Sequence, residues 1–440
     1  MSTNPPTTGA RRSFHRLAAA ALVAGTAAAA LPLAAAETAV AATAGTTYYV
    51  APGGNDSAAG TSPEQPLKSL GRVEGLNLQP GDKVLLQRGA SFTGKLGVWK
   101  SGTAAKRITI GSYGPKSAGK PRLTNNINDF CVMVGASYVT VSDVLVTGCR
   151  VGIWSRGTEN VITRVEATKN MHGIEVDAGS LRTHVVRNYL HHNDVMAANT
   201  PGAYDDYGAV GVVVVGDDTE VAFNKITDNW APSADFGTDG SAVEIYGGIG
   251  TVVHHNVAKD NRTFTELGNS RSADTTYAYN VATSSLQDSE FLITRGYNDY
   301  FGPVRGTVAV NNTVKLTGNH SRGFVCYAGC TNDLFAMYNN IFDVAGNIGY
   351  LEGERAGGNN IYWRGSMWSV TLLPGDRVVD PQFRNARLAV RAGSPAVDQV
   401  RKAAMKRDLK GNKVGVDGNG DGKRGSDIGA REVKNANRRH

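Results

Sequence analysis

Ala242-Val243-Glu244-Ile245-Tyr246 and Phe264-Thr265-Glu266-Leu267-Gly268 decide how this chain is read. Each run places a glutamate at its centre with apolar or small side chains on either side. Alternation with a period of two belongs to a strand that buries one face. The two glutamates stand 22 positions apart, a length that suits one coil of a solenoid whose coils stack strand on strand. On that spacing Glu244 and Glu266 lie one above the other.

Working outward, the same five-residue pattern recurs. It stands at Gly152 to Arg156, Gly173 to Asp177 and Gly211 to Val215 before the pair, and at Phe291 to Arg295 and Gly323 to Tyr327 after it. A second column is an asparagine after a β-branched run: Asn188, Asn224, Asn256, Asn280, Asn312 and Asn340. One such repeat cannot bury its apolar face alone, and stacked neighbours make one continuous core. The asparagines suit turns and can stack as amide ladders, which is a structural role. Few segments have helical periodicity. The expectation is an all-β, single-stranded right-handed parallel β-helix.

Two segments carry a resemblance. TYYVAPGGNDSAAGTSPEQPLKSL (47–70) and LQPGDKVLLQRG (78–89) resemble the opening of secreted bacterial right-handed parallel β-helix proteins of the pectate-lyase-like superfamily. Asp380-Pro381-Gln382-Phe383 and the run from Ala392 to Asp398 resemble their closing segments. The resemblance implies a carbohydrate-active protein. The domain reading is a leader and linker over 1–44, the β-helix over 45–385, and a closing segment with a basic tail over 386–440.

The leader begins Ala10-Arg11-Arg12-Ser13-Phe14-His15-Arg16 and runs into an Ala/Leu-rich stretch. A basic head, an apolar middle and small residues at Ala36 or Ala44 read as a signal peptide. Arg11-Arg12 with Phe14 resembles a twin-arginine export signal. Nothing later is apolar for long enough to span a bilayer. The net charge of +7 is unevenly spread. Residues 401–440 hold 12 Lys and Arg against 5 Asp and Glu, while residues 37–400 hold 31 against 34. A mildly acidic core argues against nucleic acid as partner. An even count of four cysteines in an exported chain permits two disulfides, most simply Cys131 with Cys149 and Cys326 with Cys330.

Alternation gives the coil an outward face. Second and fourth positions of the repeat face the core, so the third and fifth face out. The third-position column reads Trp154, Glu175, Val213, Glu244, Glu266, Ile293, Val325, and the fifth includes Asp177, Tyr246, Arg295 and Tyr327. Like charges on neighbouring strands repel, so stacked glutamates need a reason. Coils about 4.8 Å apart put Glu244 and Glu266 near the ~5–5.5 Å separation of a retaining glycosidase pair. Glu175 and Glu244, two coils apart, approach the inverting separation.

Insertions with Tyr204 and Asp206, with Asp239, and with Tyr297 should wall a cleft over this face. The candidate catalytic residues are therefore Glu244, Glu266, Glu175, Asp239 and Arg295. Trp154, Tyr204, Asp206, Tyr246, Tyr297 and Tyr327 are candidates for contact with a polysaccharide substrate. The histidines read as surface or turn residues. The alternative is a calcium-dependent uronate lyase with Arg295 as base. Against it, TDGSAVEIYGG (238–248) has Glu244 where one lyase family of similar local pattern has its lysine. A third reading is a glycan-binding surface protein without catalysis. Asp417, Asn419, Asp421 and Asp427 resemble part of a calcium loop, without the acid at its twelfth position or flanking helices.

Overall fold

The computed structural model describes residues 45–296 and 300–434. The leader and Tyr297 lie outside the described residues. The chain is a right-handed parallel β-helix, as the repeats predicted. Each full coil contributes one strand to each of three faces. The first face is a sheet of 12 strands from Thr47–Val50 to Ala356–Gly358. The second runs through Leu145–Thr147, Lys225–Thr227 and Val281–Ser284. The third carries His172–Val176, Val210–Val214, Ser241–Tyr246, Thr263–Gly268, Glu290–Arg295 and Arg322–Cys330 in succession. The long strand Ile341–Gly353 joins the last two faces. The one α-helix among the described residues, Leu70–Glu74, is capped by the Ser69 hydroxyl and packs Leu70 and Val73 into the core.

The core follows the alternation. Ile174, Val176, Val212, Val214, Val243, Ile245, Leu267, Leu292 and Phe324 are fully buried in one cluster along the axis. The asparagine column forms a continuous ladder. Each Nδ2 from Asn188 onward donates to the Oδ1 of the next at 2.9–3.0 Å, through Asn360 to a terminal acceptor, Asp376. A second ladder, unforeseen from the sequence, joins Asn170, Asn193, Asn229 and Asn261 at the opposite corner of the same face. The unusual backbone angle belongs to the residue before each ladder asparagine. In the first ladder, from Arg187 to Asn359, that residue has φ of 54–60°, and in the second, from Lys169 to Asp260, 47–59°. The asparagine itself satisfies the backbone amide of the coil beneath, such as Asn224 N on Asn256 Oδ1 at 2.9 Å.

Both disulfides join the expected partners, Cys131 with Cys149 and Cys326 with Cys330. The closing segment lies along the flank of the coil. Val390, Ala396, Val397 and Ile428 pack on Ile341 and Ile361 of the second face, and Leu388, Leu409 and Ala430 pack on Val281. The Ala430 amide donates to the Thr313 hydroxyl at 2.9 Å. Among the described residues no helix is long and apolar enough to cross a membrane.

Candidate active site

The third face holds the outward column in the register that the spacing predicted. Glu175 pairs with Val213, Val213 with Glu244, Glu244 with Glu266, Glu266 with Ile293, and Ile293 with Val325. Above the column lies a cleft of about 610 Å³ that Glu244, Glu266, Tyr246, Asp239, Arg295, Tyr327, Tyr204 and Asp206 all line.

Two hairpins make one wall of the cleft: Met196–Ala198 with Tyr207–Gly208, and Ala231–Ser233 with Gly237–Asp239. Asp206 ties them together. Its carboxylate accepts from the Ser233 hydroxyl at 2.6 Å, the Asp235 amide at 3.0 Å and the Thr200 amide at 2.7 Å. Asp206 is thus a buried loop clamp. Tyr204 and Phe236, one from each hairpin, stand as a tilted aromatic pair at the rim, with centroids 6.4 Å apart. Opposite, the Arg295 guanidinium lies over the Phe301 ring at 5.4 Å.

The carboxyl groups differ in their surroundings. Glu266 Oε1 accepts from Arg295 Nη2 at 2.5 Å and from the Tyr246 hydroxyl at 3.4 Å. Arg295 is fixed in turn by donating Nη1 to the Leu267 carbonyl at 2.8 Å. Burial works to lower the Arg295 pKa, but Glu266 and Tyr246 outweigh it and hold the guanidinium above its ordinary value. Glu244 has no such cation against it. Burial first, then Glu266 and Asp239, push its carboxyl well above the usual range, against smaller opposition from the Ser241 hydroxyl and Arg295. Asp239 is pushed up to about 6 by burial and by Glu266. Burial and the two glutamates also raise the Tyr246 phenol, which therefore stays a hydrogen-bond donor. One site therefore holds a carboxyl group shifted toward its protonated form beside a carboxylate paired with a cation.

Two sequence candidates fall outside the cleft lining. Trp154 is in register with Glu175 but packs edge-on against Phe130. Glu175 Oε2 accepts a hydrogen bond from His172 Nδ1 at 2.9 Å. His172 itself lines the cleft, as do Arg262 and Arg322, which the sequence reading did not single out. Both arginines pair with the buried Glu290, Arg322 Nη2 at 2.6 Å.

These residues share one explanation. His172, Glu290 and Arg322 precede the first position of the five-residue repeat, where strict alternation would turn them inward. The ladder skips that first position on successive strands, and Ala242, Phe264 and Phe291 there are buried in the core. The strand bends at that point, and the residue before the bend faces out. Close stacking at the bend favours glycine: a Cβ on Gly211 would sit 2.7 Å from the Ala242 carbonyl. The signal was the run of Gly, Gly, Gly, Ala, Phe, Phe, Gly in one column.

Among the described residues two carboxylate clusters have the spacing to share a hard cation. One is Asp205, Asp206 and Asp235 on the cleft wall; the other is Asp398, Asp417 and Asp421 in the closing segment. In the second, Asp417 and Asp421 come together as predicted, and Asp398 joins them. Asn419 instead accepts from the Asp421 amide. Asp427 lies apart and buried, accepting from the Asp398 and Val433 amides.

Comparison with known proteins fits this fold. No family model matches the chain. A stretch of 77 residues, 17% of the chain, is 42% identical to a lacto-N-biosidase of Bifidobacterium longum subsp. longum; it covers 5% of that protein's length. Among solved structures, pectate lyase Pel9A superposes with a TM-score of 0.62 at 16% identity, over 89% of this chain and 97% of that one. XylC in complex with xylose superposes with a TM-score of 0.53 at 10% identity, over 88% and 99%. At these identities the two structures attest the parallel β-helix.

Proposed function

We propose that this chain is an exported carbohydrate-degrading enzyme that hydrolyses glycosidic bonds with retention. Glu244 is its acid/base and Glu266 its nucleophile. The observation that carries the reading is the adjacent-rung pairing of Glu244, a buried carboxyl with no cation against it, with an Arg295-bound Glu266. Stacked rungs lie about 4.8 Å apart, close to the ~5–5.5 Å of retaining pairs.

Glu244 gives its proton to the glycosidic oxygen as the bond breaks. The Glu266 oxygen not held by Arg295 attacks the anomeric carbon and forms a glycosyl ester. That ester carries no charge, so the repulsion that raised Glu244 falls. Glu244, now a carboxylate, takes a proton from the water that releases the sugar. Arg295 and Tyr246 hold Glu266 in place and disperse charge on its oxygen as the ester breaks. The inverting alternative is disfavoured because Glu175 is tied to His172 and stands outside the cleft lining.

The aromatic rim of Tyr204, Phe236 and Phe301 suits sugar rings, whose apolar faces stack on such side chains. The local likeness to a lacto-N-biosidase supports glycan hydrolysis as the class. The leader supports export, by the twin-arginine route on its Arg11-Arg12 pair.

A calcium-dependent lyase is the second reading, favoured by Asp205, Asp206 and Asp235 on the cleft wall. There a cation would acidify the proton beside a uronate carboxylate. Arg295 would be the base, and its pairing with Glu266 works against that role. A polysaccharide screen read for new reducing ends and for unsaturated, ultraviolet-absorbing products separates the two. Hydrolysis gives reducing ends without the absorbing product and is indifferent to chelator. An absorbing product lost on chelation overturns it.

A further inference from the structure

The closing segment holds a second cavity, of about 430 Å³, on the flank of the coil away from the third face. Its lining is cationic: Arg384, Arg387, Lys410, Arg431 and Lys434. Among the described residues none of the five forms an ion pair. Arg384, Arg387, Lys410 and Lys434 are exposed, while Arg431 is half-buried and its Nε is enclosed without a hydrogen-bond partner. Five like charges converging on one concavity repel one another, and binding an anion is the simplest compensation.

The acids nearby offset these charges only in part, Asp408 acting on Arg431 through its own charge. Asp408 is fully buried, and its oxygens accept from the amides of Lys410, Asn412 and Glu432 and from the Asn412 side chain. Glu432 is buried, and its Oε1 accepts from the Asp427 amide, so it forms no ion pair with the cations of the lining. The cavity therefore presents a net positive field in a protein whose coil is mildly acidic. Guanidinium groups also match planar carboxylates in geometry.

We propose that this cavity is an oxyanion site that holds carboxylate groups of an acidic polysaccharide, anchoring the protein to a polyanionic matrix while the cleft on the third face stays free. Such binding is electrostatic and weakens as salt screens it. The proposal does not rest on the hydrolytic reading of the cleft.

The test uses the full exported chain, with polygalacturonate as polymer probe and inorganic phosphate as small-anion probe. Affinity is measured by calorimetry at low and high salt for the wild type, for Arg384→Gln/Arg387→Gln/Lys410→Gln, and for Arg295→Met in the cleft. The three substituted side chains are exposed, so the fold is retained, which a thermal melt checks. The expected result is salt-sensitive polymer binding that weakens at least tenfold in the triple variant, persists in the cleft variant, and is displaced by phosphate. Three results overturn the proposal: no polymer binding by the wild type, equal binding by the triple variant, or loss confined to the cleft variant. Binding of phosphate without the polymer also overturns it, since the site would then hold a free ion.

Discussion

Glu244 and Glu266 are direct partners in the parallel ladder, yet only Glu266 is paired with a cation. Two carboxyl groups on adjacent rungs cannot both carry charge cheaply, and Arg295 decides which one does. Glu244→Gln removes the proton donor and leaves an uncharged group of the same shape. Activity on the responsive glycan should fall by roughly 10²–10⁴. Stability should rise or hold, because the amide cannot ionise beside Glu266. Steady-state rates and a thermal melt on the same preparation check both halves. A stability loss with partial activity would assign Glu244 a structural role instead.

Arg295 is the converse case. Arg295→Met leaves Glu266 in the cleft without its counter-charge and removes the donor to the Leu267 carbonyl. Both partners keep some exposure, so the cost should be about 2–4 kcal/mol, at or below the ~3–5 kcal/mol for breaking a fully buried pair. Adding Glu266→Gln to Arg295→Met should recover part of that loss. Denaturant titration of the single and double variants measures the coupling.

The coil and its outward column were legible in the sequence because both rest on local periodicity. The 22-residue step between Glu244 and Glu266 and the period-two alternation need no tertiary information. The first asparagine ladder was legible for the same reason, although its end at Asp376 was not. Arg262 escaped because it stands before the strand Thr263–Gly268; Glu290, Arg322 and His172 escaped because the strand bends at one repeat position and reverses the alternation there. A strict two-residue count turns those side chains inward. Asp206 was singled out as a substrate contact; it serves to bind two hairpins, a role set by residues 27 and 29 positions away. The calcium-loop resemblance missed Asp398 and included Asp427, because the closing segment folds back on itself over about 20 residues.

Burial of Asp427 and Glu432 beneath the closing segment makes stability depend on pH. Burial raises Asp427 to about 7, while burial and Asp427 raise Glu432 to about 9. The folded state therefore binds protons that the unfolded chain has already released above its ordinary carboxyl range, about pH 4. Their contribution is fully present below that range and is lost as pH rises through about 7 for Asp427 and about 9 for Glu432. The melting temperature should fall from pH 5 to pH 9. Glu432→Gln should flatten the upper part of that fall, and scanning calorimetry across the range measures it.

Asn280 sits in the middle of the long ladder and tests what the ladder does. Its Oδ1 accepts from both the amide and Nδ2 of Asn256, and its Nδ2 donates to Asn312 Oδ1 and to the Val253 carbonyl. Asn280→Ala leaves the Asn256 amide without its acceptor, strips one of the two bonds of Asn256 Nδ2, which keeps the Val221 carbonyl, and removes a donor from the Val253 carbonyl. Each unsatisfied buried group costs about 1–3 kcal/mol, with compensation where the coil relaxes. The net loss should be roughly 2–4 kcal/mol, seen as a lower denaturant midpoint with an unchanged slope. Asn280→Asp keeps both acceptor bonds but sets a carboxylate against the carbonyl of Val253 and Oδ1 of Asn312, so it should cost at least as much at neutral pH and less in acid. Asp376 takes a carboxylate safely because it is the last acceptor of the ladder and pairs with Arg355 at 3.0 Å. If Asn280→Asp matches the wild type at neutral pH, the ladder supplies acceptors only and the directional chain of amides contributes nothing.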